Sequence, residues 1–376
     1  MSGALVDLVA KGVQDAYLTG KPEVSFFRQK YARHTNFAMK PVKLTPMGKV
    51  AGNSEVSIKI PNKGDLLSYV WLELNETILG AFSEGGFGLG INADTSNPAV
   101  FELYIGGQLV DRQDATFMVL HWQKFLCDSG AKAMAIITSD ENDSFIRSRL
   151  LDSQFLPLHF FFCDSYPLPL VSLAYHEVEI KIKFSYTVDP ALPGNIGFYA
   201  NYIMLDTNER DWFVNTDHSI LIEQVQRLPA TNGTDSNPTF DLSLLNHPVK
   251  SLHWSNVLAD NFNTGEVMIY LNGTQLFDDH MTDRFFTHVQ GYYHSEHASE
   301  LLKGSSNGGQ QLKMYSFAQK VSKHVPTGSC NFSRLDNAEM KLTGVSPPGK
   351  NDIYLYAVNW NVLRIKQGMA GLAFSN

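Results

Sequence analysis

The sequence predicts an all-β chain of two tandem eight-stranded jelly-roll β-sandwiches, with an N-terminal arm and minor helices. Three observations predict it: apolar and polar residues alternate with a period of two, tight glycine turns join alternating runs, and both features repeat in order in the two halves. At 376 residues the chain exceeds the roughly 100–200 of one ordinary domain, so two cores are expected. With 44% hydrophobic and 18% charged residues, including 24 Phe and 15 Tyr, both interiors can be filled.

Residues 1–24 form the arm, in which Ala4, Leu5, Leu8 and Val9 make an apolar stripe suited to docking. The first roll spans 25–207. Within it Val56 to Ile60 and Leu66 to Leu74 alternate, as does His176 to Phe184, where Val178, Ile180, Ile182 and Phe184 share one face and Glu177, Glu179, Lys181 and Lys183 the other. One face buried and one wet is the pattern of an antiparallel sheet. Gly106-Gly107 lies between Leu103-Tyr104-Ile105 and Leu109-Val110, a pair able to take the positive φ of a tight hairpin. A helix is expected from about Asp114 to Cys127, because Ala115, Met118, Trp122 and Phe125 recur at helical spacing before Gly130. The polar run near Asp206 to His218 breaks the strand pattern, which sets a linker at 208–219 and a second roll at 220–376.

The second roll repeats the first. Leu103 to Asp111 aligns with Ile269 to Asp278 with one gap, at Thr274, and carries Asn272-Gly273 where the first half has Gly106-Gly107. Glu177 to Ile182 aligns with Asn337 to Leu342 at nearly the same offset. Two ordered matches favour duplication, and a sandwich of this size closes its edges in two Greek keys. The Phe285-Phe286 and Tyr292-Tyr293 pairs are expected in the core.

The formal net charge is −8, from 30 basic and 38 acidic residues without a basic run, so direct nucleic-acid binding is disfavoured. Cys127, Cys163 and Cys330 lie apart and show no CxxC spacing, which fits reduced thiols in a cytosolic setting. The first residues lack the features of a signal peptide, and no apolar run reaches the roughly 20 residues of a membrane span. A soluble protein outside the ordinary secretory route is expected.

Candidate chemistry is weak. His280, His288, His294 and His297 cluster beside Asp278, Asp279 and Asp283, but His294-Ser295-Glu296-His297 lacks the spacing of either zinc-protease motif, and the segment reads as a polar loop of turn formers. Gly85 to Gly90 lacks the Lys-Ser/Thr pair and following helix of a phosphate cradle. Asp278-Asp279 and Asp140-Glu141 read as solvated loop charges, and Asn75, Asn142, Asn232, Asn272 and Asn331 as turn asparagines. No catalytic residue, metal ligand or cofactor is assigned. The alternative class is a β-sandwich carbohydrate-binding protein or glycoside hydrolase; the paired strand histidines of a metal-dependent cupin are missing.

Ordered blocks from end to end carry a resemblance. They include Gly12-Val13-Gln14-Asp15-Ala16-Tyr17-Leu18-Thr19-Gly20, Leu173-Ala174-Tyr175-His176-Glu177-Val178, Asn246-His247-Pro248, Ser329-Cys330-Asn331-Phe332-Ser333-Arg334-Leu335-Asp336-Asn337 and Asn359-Trp360-Asn361-Val362-Leu363-Arg364. The chain resembles the major capsid proteins of nucleocytoplasmic large DNA viruses, most of all the phycodnavirus branch. That resemblance implies a structural, non-enzymatic double jelly roll that forms a homotrimer, a pseudo-hexagonal capsomer tiling an icosahedral virion shell. Its implied partners are neighbouring capsomers and minor capsid proteins, the latter touched by the arm at the capsomer base. The resemblance also implies an internal membrane nearby that is not spanned, assembly in the host cytoplasm, and host-surface glycans as a further candidate ligand. One departure is a short second half, with brief loops around Leu258 to Glu266 and Gln290 to Leu312, which predicts a low outer profile.

Overall fold

Each alternating run becomes a strand whose apolar side meets a core. The computed structural model describes residues 8–74, 98–129, 132, 155–164, 166–184, 196–231, 237–256, 265–296, 312–345 and 353–375. The first eight principal strands are β1 (Phe37–Leu44), β2 (Glu55–Ile60), β3 (Leu66–Leu74), β4 (Val100–Ile105), β5 (Gln108–Asp114), β6 (Phe155–Pro157), β7 (Val178–Lys183) and β8 (Ile196–Leu205). They form two antiparallel sheets ordered β1-β8-β3-β6 and β2-β7-β4-β5. The next eight are β9 (His218–Pro229), β10 (Thr239–Asp241), β11 (Pro248–Asn256), β12 (Glu266–Leu271), β13 (Thr274–Gln275), β14 (Lys313–Ser316), β15 (Ala338–Thr343) and β16 (Ile353–Lys366). Their sheets are ordered β9-β16-β11-β14 and β10-β15-β12-β13. Each strand of the second set takes the place of the strand eight before it, so both halves are jelly rolls of one topology. The aligned sequence segments are the β4/β5 and β12/β13 hairpins together with β7 and β15.

Side-chain placement follows the two-residue period. On β2 and β7, Val56, Ile58, Val178, Ile180 and Ile182 are buried. Their other faces carry cross-strand charge pairs, Lys59 Nζ to Glu177 at 2.8 Å and Lys183 Nζ to Glu102 at 3.1 Å. The first pair is exposed and screened by solvent, whereas the second draws Lys183 over the buried Glu102 carboxylate. Inside the second roll the core includes Phe240, Leu252, Trp254, Phe286 and Leu355. The first core differs, because it continues through Tyr356, Val358 and Met314, which lie on strands of the second roll.

Among the described residues, three helices of nine or ten residues interrupt this pattern, besides shorter turns such as Phe161–Asp164. Asp206 caps α2 (Thr207–Asn215) by accepting from the Thr207 N–H at 2.7 Å, so the polar run read as a linker is largely an exposed helix. The helix expected near 114–127 is present as Phe117–Leu126, here α1, wound with π turns and buried along its whole length. Phe285–Val289, also of π type, runs into Gln290–His294 to form α3. The expectation of a non-helical loop here is therefore corrected: Phe286 and Gln290 bury one helix face, and Gln290 Oε1 accepts from the Ser316 N–H at 3.0 Å.

The segment Met1–Asn36 forms a unit of its own. In it Leu8, Val9, Phe26 and Phe27 are exposed, while Ala4 and Leu5 lie outside the described residues.

Both hairpin turns use positive φ at two successive residues, Gly106 and Gly107 in the first roll, Asn272 and Gly273 in the second. A Cβ on Gly106 would overlap the His176 ring, whereas one on Gly107 would meet open space. Gly107→Ala should cost about 1–2 kcal/mol, the penalty of left-handed backbone alone. Gly106→Ala should cost clearly more, read as a larger drop in the thermal unfolding midpoint. Equal losses would contradict this packing of His176 against the turn.

Candidate functional site at the junction of the two rolls

The β9-β16-β11-β14 sheet has two apolar faces. Leu252 and Trp254 of β11 point into the second core, so the pleat turns Ser251, His253 and Ser255 the other way. On β16 the same alternation sends Leu355 and Ala357 inward and leaves Tyr356 and Val358 in the first roll's core. Helix α1 covers this second face. Phe117 packs on Tyr356 and His253 at 5.5 and 6.0 Å between ring centroids, and Phe125 on His253 at 5.7 Å. A helix with a core on each side has no wet face, which explains why His121, Gln123 and Lys124 are buried along with the apolar residues.

Polar contacts set the register of roll on roll. Asp114 accepts from the Phe117 N–H at 2.9 Å, capping α1, and its other oxygen accepts from the Tyr356 hydroxyl at 2.9 Å while pairing with Arg227 at 3.2 Å. Asp111 accepts from the Val225 N–H at 3.0 Å and from Gln113 at 2.7 Å. Burial pushes its carboxyl up to about 7, against those hydrogen bonds. Gln224 donates to the Val110 carbonyl and accepts from Asn361 at 2.9 Å.

At the far end of α1, Lys124 donates to the Leu312 carbonyl at 3.2 Å, and Lys313 pairs with Asp283 at 2.9 Å. Burial, with each other's charge nearby in the case of Lys124, brings these ammonium groups down to about 7 and about 8. Lys250 meets Glu223 at 2.5 Å, with His324 at 3.5 Å from the same oxygen. Burial raises the Glu223 carboxyl, but Lys250 and His324 more than offset it and hold it below the usual carboxylate range.

The residues weighed as candidate sites do not converge. Asp278, Asp279 and His280 are exposed on the loop after β13, and Asp283 is engaged with Lys313. His288 and His294 lie on α3, where His294 Nδ1 is 3.2 Å from the Gln319 carbonyl. Among the described residues no group of three metal-ligating side chains comes together. His297, Gly85 to Gly90, Asp140-Glu141, Asn75, Asn142 and Asn232 lie outside the described residues, as do most of the two short loops of the second half. Asn272 and Asn331 are turn asparagines: their side-chain oxygens accept from the Asp336 and Ser333 N–H groups at 3.1 Å. Phe286 is core and Phe285 packs against it, but Tyr292 and Tyr293 are exposed, contrary to expectation, because the buried side of α3 is filled by Phe286 and Gln290. Among the described residues no helix is long and apolar enough to cross a membrane.

His121 and His253 lie 5.7 Å apart with both rings wholly buried. Burial drives both below their ordinary value, His253 to about 3. For a base depressed on folding, stability is full above the unfolded value near 6.5 and falls as pH drops, by about 1.4 kcal/mol per pH unit for each ring. Asp111, raised on folding, works oppositely between its ordinary value of 3.8 and about 7. The unfolding midpoint should therefore drop less between pH 6.5 and 4.5 in His253→Phe than in the parent chain, and more in Asp111→Asn. Parallel curves for all three would refute the assignment of these groups.

Comparison with known proteins gives the junction its context. Residues 25–206 match a family model described as major capsid protein N-terminus, and residues 263–371 one described as large eukaryotic DNA virus major capsid protein. The chain is 33% identical to the major capsid protein of Pyramimonas orientalis virus and 29% identical to that of Paramecium bursaria Chlorella virus 1, each over all of both chains. A chain in the quasi-atomic model of the PBCV-1 virus capsid is 27% identical, with a TM-score of 0.71 over 94% of this chain and 100% of that one. The Faustovirus major capsid protein shares the fold, at 12% identity and a TM-score of 0.64 over 95% of each chain. With two rolls of one strand order joined through a buried helix, and relatives matching from end to end, the chain belongs to the major capsid proteins of large eukaryotic DNA viruses.

Proposed function

We propose that this chain is a non-enzymatic shell subunit that forms a homotrimer, and that the trimer is a pseudo-hexagonal capsomer tiling an icosahedral virion. The observation that carries this reading is the repeated strand order in two rolls held side by side by a buried junction. Three copies of a duplicated unit present six similar lobes, so threefold closure approximates a hexagon and one protein can pave a lattice. In this reading the capsomer contacts its neighbours and minor capsid proteins, and the shell lies over an internal membrane without crossing it. Assembly takes place in the host cytoplasm. With an acidic net charge of −8, the chain leaves genome contact to other components.

Light scattering on the purified protein tests this reading. The expected mass is about three times the 42.0 kDa of one chain, stable on dilution. A mass of one chain across a wide concentration range would contradict it.

A further inference from the structure

The junction inside the chain has a half that is used once and a half left open. In the second roll, the sixth residue of β11 and the fourth of β16, His253 and Tyr356, pair across the ladder, and Phe117, His121 and Phe125 of α1 pack on them. In the first roll, the sixth residue of β3 and the fourth of β8 are Trp71 and Tyr199, which pair in the same way. Among the described residues no helix sets an aromatic ring on them, and the helical residues Trp122, Gln123, Cys163 and Asp164 stand only along the groove beside them. Instead Tyr69, Trp71 and Tyr199 form a row with centroids 5.5 and 5.4 Å apart beside a groove of about 650 Å³.

The groove is open at its edge, and on its floor His159 Nδ1 meets Asp164 at 3.1 Å. Met39 and Tyr69 at its edge are 60% and 45% exposed. Gln123 Oε1 and Asn201 Nδ2 line it, on residues only 1% and 2% exposed, and neither atom has a hydrogen-bond partner among the described residues.

The second roll carries the matching part. Helices α1 and α3 both follow the second strand of the equivalent hairpin, both contain π turns and both open on phenylalanine. Setting Phe285 on Phe117 places Val289 at His121 and Tyr293 at Phe125. In α1 those positions are buried against the other roll; in α3, Val289 is 40% and Tyr293 62% exposed.

We propose that the Trp71–Tyr199 groove of one copy receives α3 of a second copy, reproducing between chains the contact that α1 makes within the chain. Val289 and Tyr293 then cover the aromatic row. The contact is head-to-tail, so each copy gives one helix and receives one. Alternating with the internal junction, it closes after three copies into a ring of six rolls. This surface rests on the trimer reading above and names where that trimer is joined.

The test uses the full chain in a Cys163→Ser background, since Cys163 lines the groove. Tyr69→Cys with Tyr293→Cys should give a covalent trimer under mild oxidation, seen on a non-reducing gel, and neither single variant should. Tyr293→Asp should reduce the light-scattering mass threefold with unchanged circular dichroism. A parent trimer in which the cysteine pair forms no cross-link and Tyr293→Asp keeps the trimer mass would overturn this surface alone. A monomeric parent would overturn the assembly reading itself.

Discussion

The outward face of the β9-β16-β11-β14 sheet cannot be left to water, and the rest of the architecture depends on how it is covered. Tyr356, Val358 and Met314 on that face belong to the first roll's core. Burying them at about 25 cal/mol per Å² of apolar surface fuses two sandwiches that topology alone would leave as beads on a string. Helix α1 serves both sides at once, and that double duty accounts for its burial along its whole length and for the polar residues it takes into the interior.

Those polar residues make the junction specific at some expense in stability. Apolar packing tolerates sliding, but Asp114 is committed to Arg227, Tyr356 and the start of α1 together. Shifting one roll against the other would strand that carboxylate, and a buried charge deprived of its partner costs about 3–5 kcal/mol. The two rolls therefore meet in one register.

Much of the fold was legible in the sequence. The two-residue period of Val178 to Lys183 placed a strand with the correct face inward, and Gly106-Gly107 and Asn272-Gly273 marked equivalent hairpins because only a few residue types accept positive φ at both turn positions. The junction was not legible. His121, Lys124 and His253 are polar by type, and nothing in their local spacing reports that a second roll covers them. The polar run at 207–215 broke the strand period but did not declare itself a helix, since it buries no apolar stripe. Tyr292 and Tyr293 were expected inside for the opposite reason: aromatic character suggests a core, and exposure depends on which helix face Phe286 and Gln290 occupy.

A cryo-electron microscopy reconstruction of the purified particle tests most directly the claim that one helix-on-sheet junction is the repeating joint of the assembly. The account predicts six rolls related by successive turns of about 60°, with α1 and α3 seated alternately on the sheets of the next roll around the ring. A particle whose chains meet through other faces, with the sheet around Trp71 and Tyr199 left bare, would contradict it.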